Sequence, residues 1–584
     1  RLAANTNPDA IAPVLNTQAR QHEPAKYSNL QLRLQPISER VIGKSGQILW
    51  PLFGAVGLVL LVACINAGSL LVVRGLARRR EIAVRAALGA ARWQLIRPVL
   101  ADATAIAIAA AITGAALASA IVSGLKSLLA TSLSLPLPRL DQTIVDVEAL
   151  AIALAAAVIS IFVASLVPAL SAMRVDPAAA FNDNSRAASA SRATIRFGIA
   201  ATILQTTFSV VLLTGAGLLL RSLVHVIEQD PGYDREGVLT ARVPMPFDAR
   251  QRYGNQAQYE HYRNVLQTAR AIPGVQSAAV TTVLPLGRVA ASVDFIPEGQ
   301  TARKDEYVQA YGITPDYFRV MGIALKAGRA FDEHDTAGAA PVVVINEVTA
   351  RRYWPGENPI GKRVQGKIPM TVIGVVGSVR RGSMREAPKE EIYRPLPQFL
   401  FGLHGSTLVL RTTAGISPES LINTVQSTLT KQYPTFPVSE IRPMTSWIEE
   451  SVATSRLYTV LLGGFSVQAL LIASAGLFGL LSHIAAIRRR EMGVRIAIGA
   501  RPSQIALLLL RQGLAIVSIG AAAGAFGGVL LADLLRTQLY GIEPTDPTTL
   551  CAVAGAFAII AVLAMLAPAL RAGRTDPAHI LRAD

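Results

Sequence analysis

The sequence predicts a multi-pass α-helical membrane protein with about seven transmembrane helices, grouped three plus four, and one α+β domain outside the membrane. Three observations carry that prediction. Of the 584 residues, 51% are hydrophobic and only 16% charged, where soluble domains carry about 25% charged residues. Seven apolar runs are each long enough to cross about 30 Å of hydrocarbon at 1.5 Å per residue. Between the fourth and fifth runs, from about Ser222 to Ser455, the composition turns soluble, with Pro, Gly and charge all returning.

The runs are approximately Ile48–Val73, Val99–Leu125, Ala149–Met173, Gly198–Leu220, Leu457–Leu481, Ile505–Leu531 and Leu550–Leu570. Arginine orients them. Arg74 to Arg97 holds seven Arg, Arg174 to Arg196 four, Arg488 to Arg511 six and Arg571 to Arg582 three. These four segments face the cytoplasm by the positive-inside rule, and the remaining connections then fall outside without conflict. The net charge of +17 follows from this topology. No basic stretch interleaved with aromatics, of the kind that stacks bases, accompanies it, so a nucleic-acid partner is excluded. Both cysteines, Cys64 and Cys551, lie in apolar runs and imply neither a disulfide framework nor a metal site. The chain opens Arg1-Leu2-Ala3 without Met, and we expect the natural chain to begin earlier.

Ionisable residues are almost absent from the spans, with Asp102 the clear case near an end. A proton or ion path would need such groups. Asn66 and Gln205 read as interhelical hydrogen bonds, and the Gly520 to Gly528 stretch as a close helix contact.

The sequence also repeats itself. RRREIAVRAALGA begins at Arg78 and RRREMGVRIAIGA at Arg488, with nine of thirteen positions identical. A second echo pairs VPALSAMRVDPAAAF (Val167 to Phe181) with APALRAGRTDPAHIL (Ala567 to Leu581). The chain is therefore a tandem duplication. Each unit should read span, external domain, then three spans, and on that reading we expect the first unit to have lost its opening span and most of its external domain. Each Arg-rich copy reads as a short helix at the cytoplasmic end of a span, stopped near Gly89 or Gly499. A positive-inside anchor explains the Arg triplet but not Glu, Val, Arg and Gly retained in register, which points to a docking surface. Its candidate residues are Arg80, Glu81, Arg85, Gly89 and Asp176 in the first copy, and Arg490, Glu491, Arg495, Gly499 and Asp576 in the second. Asp176-Pro177 and Asp576-Pro577 read equally as N-cap plus first-turn Pro of another short helix.

These motifs, in these topological places, resemble the MacB/FtsX class of ABC-transporter permeases, in the subgroup with two permease units fused in one chain, here truncated at the N-terminus. The resemblance implies a domain plan. Residues 1–47 are the remnant of a first external domain, 48–173 a first FtsX-like bundle of three helices and 174–197 a cytoplasmic linker. Residues 198–221 open the second unit, 222–455 form a MacB-like external domain, 456–572 a second three-helix bundle and 573–584 a cytoplasmic tail. It also implies a porter-like layer and an outer lobe in the external domain, a bacterial inner-membrane location, and a cytoplasmic ABC ATPase as partner.

Within the external domain, strand Val238–Val243, helix Tyr259–Ala271 and strand Ala278–Leu284 read as one β-α-β unit. Thr407–Arg411, a helix with Ser417 as N-cap and Pro418 at N1, and Val438–Pro443 read as a second. Short strands between them, among them Pro341–Ile345 and Met370–Val376, read as a β-rich insertion. From Thr445 the spacing is helical without a breaker, so a helix should run unbroken into the membrane.

Gly356 to Lys362 matches G-x-x-x-x-G-K, but Arg363 stands where Ser or Thr should hold Mg²⁺ and Pro359 sits inside the loop. It is not expected to bind nucleotide. Asp332-Glu333-His334-Asp335 reads as a solvated turn, since consecutive ligands do not all converge on one ion. No H-E-x-x-H and no G-x-S-x-G occur. The expectation is a non-catalytic permease that binds no cofactor itself, with ATP and Mg²⁺ used by a separate ATPase. It would act on a peptide, lipid, lipoprotein or drug by moving its external domain. An adaptor outside the membrane, a cell-wall hydrolase and membrane lipid are further expected partners. The alternatives are an FtsX-like regulator of cell-wall hydrolases and a membrane sensor that needs no ATPase.

Overall fold

The computed structural model describes residues 8–22, 46–77, 92–132, 186–244, 249–287, 291–300, 307–365, 368–399, 405–434, 437–536 and 538–573, with a few scattered positions between 148 and 162. Among the described residues four helices come first: α1 (Pro8–His22), α2 (Gly46–Ala77), α3 (Arg92–Ser132) and α4 (Arg186–Glu228). The sheet-bearing stretch runs β1 (Val238–Pro244), α5 (Ala249–Arg270), β2 (Val275–Thr281), β3 (Ala291–Asp294), β4 (Ile296–Pro297), β5 (Tyr307–Ile313), α6 (Tyr317–Met321) and β6 (Leu325–Gly328). It continues β7 (Val342–Asn346), α7 (Glu347–Tyr353), β8 (Arg363–Gln365), β9 (Met370–Val376), β10 (Glu391–Pro395), β11 (Gly405–Thr412), α8 (Ile422–Gln432) and β12 (Ser439–Pro443). Four further described helices follow: α9 (Met444–Ile487), α10 (Arg489–Ala497), α11 (Pro502–Leu534) and α12 (Pro547–Gly573).

Six of the described helices are long and apolar enough to cross a membrane, and they correspond to six of the seven expected spans. The seventh, Ala149–Met173, lies mostly outside the described residues. Two compact units divide the chain, one built of the helices and the other, essentially Ser222–Arg456, of the sheet.

In the helical unit α4 is the central element. Its apolar window is 61% buried, against 33% or less for the other five. Glycine makes this possible, because a helix without side chains at one face lets another come to backbone distance. Gly520, Gly524 and Gly528 of α11 recur at every fourth residue and receive Thr206, Val210 and Thr214 of α4, which recur likewise. A Cβ added at Gly524 would lie 2.6 Å from the Val210 Cβ and 2.8 Å from the Thr207 carbonyl oxygen. The close contact expected of this glycine stretch is thus made to α4. Against α9 the contact is polar: Gln205 Nε2 donates to the Ala473 carbonyl, Ser209 Oγ to that of Ala469, and Ser466 Oγ to that of Leu212. One number rises as its partner falls, so the two helices run antiparallel.

At the start of α12, Asp546 accepts from the Thr549 main-chain N–H at 2.8 Å and from Thr548 Oγ1 at 2.9 Å, and it pairs with Arg221 of α4. Burial opposes its charge, but the hydrogen bonds donated by Thr549, Thr548 and Arg221 outweigh it and hold the carboxyl well below the usual carboxylate range.

The sheet unit contains twelve strands among the described residues, ordered β12-β1-β11-β2-β5-β10-β7-β9-β8-β4, with β3 on β5 and β6 on β9. β11 is antiparallel to both β1 and β2, and β12 is antiparallel to β1. The two expected β-α-β units are therefore split: β11 sits between β1 and β2, and β1 between β11 and β12. The result is a β-α-β-β-α-β, ferredoxin-like layer. Tyr262, Val265 and Leu266 of α5 and Val425 and Leu429 of α8 pack on the same core as Leu239, Val280 and Leu408, so both helices cover one face. Ser417 precedes a 3₁₀ turn, Pro418–Leu421, before α8 proper.

The β-rich insertion lies between β2 and β11, as expected, yet it continues the same sheet. Among the described residues its strand pairing with β2 is the bridge Thr281 to Ile313, flanked by the hydrogen bonds Thr282 N–H to the Gly312 carbonyl and Thr314 N–H to the Val280 carbonyl. Inside it Arg381 and Glu391 are both buried and lie 3.0 Å apart. Tyr393 Oη donates to Glu391 at 2.7 Å, Arg381 Nη2 donates to Tyr393 Oη, and the Arg381 guanidinium stacks 3.7 Å over the Tyr311 ring. Where β12 turns into α9, the Trp447 indole N–H donates to Thr240 Oγ1 at 3.0 Å and carries the Arg442 guanidinium 3.6 Å over its ring. The first turns of α9 are thereby fixed to the sheet, and the helix continues without a break to Ile487, as the sequence predicts.

Two measurements check these packing arguments. Gly524→Ala should lower the thermal unfolding midpoint of the detergent-solubilised protein through an overpacking cost of about 1–3 kcal/mol. Gly555→Ala in α12, with nothing within 4 Å of its added Cβ, should leave the midpoint in place. Asp546→Ala should cost about 1 kcal/mol at pH 7 through the lost helix cap. Because the native carboxyl titrates below its unfolded value of about 3.9, the deficit should persist above pH 4 and close as acidity neutralises the native carboxylate.

Candidate functional site

Two stretches of the external sequence carry motif-like patterns, and the structure commits both to local turns. Gly356 to Lys362 leads from α7 into strand β8, whereas a phosphate loop leads from a strand into a helix. Lys362 Nζ is 3.0 Å from Glu357. In Asp332 to Asp335, Arg329 holds both oxygens of Asp335 at 2.8 and 3.0 Å, and Asp332 accepts from the His334 main chain. Burial opposes ionisation of Asp335, but the Arg329 hydrogen bond prevails and holds its carboxyl below the usual value. Among the described residues no group of three or more His, Cys, Asp or Glu is placed to hold a metal ion.

The remaining candidate is the elbow after α9. Apolar sequence ends at Ile487, and Arg488 sits outside helical geometry for one residue while hydrogen bonding continues through it. Its N–H donates to the Ile484 carbonyl and its carbonyl accepts from Met492, both at 3.0 Å. Helix α10 then runs for 9 residues, with Arg495 and Glu491 paired at 2.7 Å one turn apart. Glycine stops it. Gly499 has φ of +103°, a backbone conformation costly for residues with a Cβ. The Ala500 N–H then turns back to the Arg495 carbonyl at 2.9 Å. Arg501 is extended, its N–H bonds to Gln504 Oε1 at 3.0 Å, and Pro502 begins α11.

Helix α10 has an inner and an outer side. Met492 and Gly493 are buried, and Ile496 packs partly against the apolar cluster formed by α9, α11 and α12. Glu491, Val494, Arg495, Ala497, Ile498 and Gly499 are exposed, Ile498 at 81%. The outer surface is thus an Arg–Glu pair beside two apolar side chains that nothing described covers.

Of the predicted docking residues, Arg490, Glu491, Arg495 and Gly499 fall on this elbow. Arg80, Glu81, Arg85, Gly89, Asp176 and Asp576 lie outside the described residues. Sequence reasoning missed Ile498 and did not single out Val494 for the site. Val494 was signalled by its identity with Val84, while Ile498 answers Leu88 and carries no such mark.

Comparison with known proteins places the chain. The MacB-like periplasmic core domain model matches residues 193–428, and the FtsX-like permease C-terminal model matches twice, at 53–177 and 463–577. The macrolide export ATP-binding/permease protein MacB 2 of Aeromonas hydrophila is 29% identical over 283 residues, 46% of this chain and 42% of that protein. MacB of Acinetobacter baylyi is 26% identical over 280 residues, again 46% and 42%. The chain thus spans less than half the length of the curated relatives it matches. The crystal structure of the periplasmic region of MacB from Actinobacillus actinomycetemcomitans overlaps 38% of this chain and 94% of its own, at 19% identity and a TM-score of 0.27. The chain belongs to the MacB/FtsX-type ABC transporter permeases, and the double match of the permease model marks the two halves of the internal duplication.

Gly499→Val should disorganise this elbow, because a β-branched residue at that φ is strained by about 1–2 kcal/mol. The check is limited proteolysis at the nearby arginines, which should accelerate in the variant. Ala500→Val should leave the cleavage rate unchanged.

Proposed function

We propose that the chain is the transport part of an ABC export system of the bacterial inner membrane, driven by an ATPase that docks on the α10 elbow and its first-copy counterpart. ATP and Mg²⁺ are used by that ATPase. Its closing motion passes through the spans to the external domain, which acts on a drug, peptide, lipid or lipoprotein substrate. The relatives named above are macrolide exporters, which fits that substrate range.

The observation that carries this reading is a correlation between the repeat and burial. Six of the nine positions identical in the two copies are exposed in the second: Arg489, Glu491, Val494, Arg495, Ala497 and Gly499. Of the four that differ, Met492 and Gly493 are buried, Ile496 is half-buried, and Ile498, which answers Leu88, is the one that is exposed. A helix kept only for packing would preserve its inner side and let its surface drift. Here the exposed side is preserved except for the Leu88/Ile498 exchange, one aliphatic side chain for another, which fits recognition of one and the same partner surface by both copies. The spans fit the same reading, since Asn66 and Gln205 hydrogen-bond to main-chain carbonyls of α9 instead of lining a path.

Co-purification tests it. The native chain, extracted from membranes in mild detergent, should bring down an ABC ATPase identified by mass spectrometry. Arg85→Glu combined with Arg495→Glu should reduce recovery at least about tenfold at unchanged thermal stability. Undiminished recovery would refute the docking assignment.

A further inference from the structure

One end of the ferredoxin-like layer opens into a cleft. At that end Val238 of β1 faces Arg411 of β11, Leu239 faces Pro443 of β12, and Val275 of β2 faces Thr412. The cleft measures about 590 Å³ and is bounded by Arg235 to Gly237, which lead into β1, by the loop Thr413 to Glu419, and by Pro443 and Thr445. Small-molecule sites typically enclose about 300–1,000 Å³.

Hydrogen bonds fix its walls. The Thr412 N–H donates to the Gly237 carbonyl at 2.8 Å, and Thr412 Oγ1 donates to the Ile416 carbonyl at 2.9 Å, so one residue joins the two bounding segments. The Thr413 N–H donates to the Gly274 carbonyl at 2.9 Å. The Ile416 N–H then returns to the Thr413 carbonyl at 3.0 Å, closing a tight turn that Gly415 allows with φ of +86°. None of these bonds needs a ligand, so the cleft is preformed.

Its charges differ in how far the protein satisfies them. Arg235 donates to the Ile227 and Gln229 carbonyls. Arg411 donates to the Val320 carbonyl and pairs with Asp234 at 2.7 Å. Both guanidiniums are thus engaged internally. Glu236 and Glu419 are exposed, and among the described residues neither carboxylate has an ion pair or a hydrogen bond. The charge left over for a ligand is therefore negative. Ala414, Ile416, Pro418 and Pro443 share the lining and give it an apolar part, with Ile416 37% exposed.

We propose that this cleft binds a cationic amphiphile, whose ammonium group meets Glu236 and Glu419 and whose apolar body covers Ile416, Pro418 and Pro443. The proposal deepens the reading of the external domain as the part that acts on the exported molecule, by giving that molecule a site and a charge. An anionic ligand would face two free carboxylates with both guanidiniums already engaged, and a neutral one would leave the carboxylates unused.

Binding of dansylcadaverine to the full chain in phosphatidylcholine nanodiscs tests this. The probe carries a primary amine that is protonated at pH 7. It should bind saturably and at least tenfold more tightly than its neutral N-acetyl derivative or than dansyl aminohexanoate, which ends a similar chain in a carboxylate. Added salt should narrow the difference. Glu236→Gln combined with Glu419→Gln, two changes at exposed positions, should bring the three probes to within about threefold of one another. Glu449→Gln, exposed on α9 outside the cleft, should leave the preference for the cation in place. Exchange of part of the disc lipid for phosphatidylethanolamine should weaken dansylcadaverine binding if the natural ammonium is a lipid headgroup, and leave it unchanged if it belongs to a dissolved amphiphile. Equal affinity for the three probes in the native chain, or a cation preference that survives the double variant, would overturn the proposal. No ATPase enters the assay, so intact binding in a chain that recruits no ATPase would count against the docking assignment alone.

Discussion

The structure of the helical unit depends on α4 reaching backbone distance of its neighbours. In hydrocarbon, apolar side chains gain nothing by leaving lipid for one another, so association must come from close packing and from hydrogen bonds that lipid does not offer. The glycine ridge of α11 supplies the first and the Gln205, Ser209 and Ser466 ladder to α9 the second. Gly217 of α4 adds a third contact, where a Cβ would lie 3.0 Å from a Thr549 methyl of α12. Each hydrogen bond contributes about 0.6 kcal/mol in such a setting, so the ladder fixes register more than it supplies stability.

The sheet unit solves the opposite problem, that of burying polar groups away from water. Arg381 and Glu391 sit where a lone charge would be prohibitive. They are tolerated because each has a partner: Glu391 lies beside Arg381 and accepts from Tyr393, and the guanidinium also donates to the Val283 carbonyl and stacks on the Tyr311 face, although burial still prevails and raises the Glu391 carboxyl above its usual range. The Leu286 N–H bonds in turn to the Arg381 carbonyl at 2.8 Å. The ion pair therefore ties the segment after β2 to β10, near the Thr281–Ile313 bridge between insertion and ferredoxin-like layer.

Much of this was legible in the sequence. Span positions follow from run length alone, and the strands at Val238, Met370 and Thr407 follow from β-branched runs between turn residues. The split of each β-α-β unit was not legible, since nothing local to Val238–Val243 announces that β11, over 160 positions later, inserts beside it. The polar residues of the spans show the same limit. Asn66 and Gln205 stood out as polar, but their acceptors are main-chain carbonyls 406 and 268 positions away, which no side-chain pattern encodes. At the elbow the repeat identified the segment, but identity alone does not separate an inner from an outer side. That separation needed the burial of Met492 and Gly493 and the exposure of Ile498.

Duplication within one chain leaves the two copies free to diverge, a freedom that two identical subunits do not have. In the Arg-rich strings Glu, Val, Arg and Gly are the same in both copies, whereas the exposed Ile498 answers Leu88. A single asymmetric partner would select against that identity, because it would read the two elbows through different surfaces of its own. Two copies of one partner would maintain it.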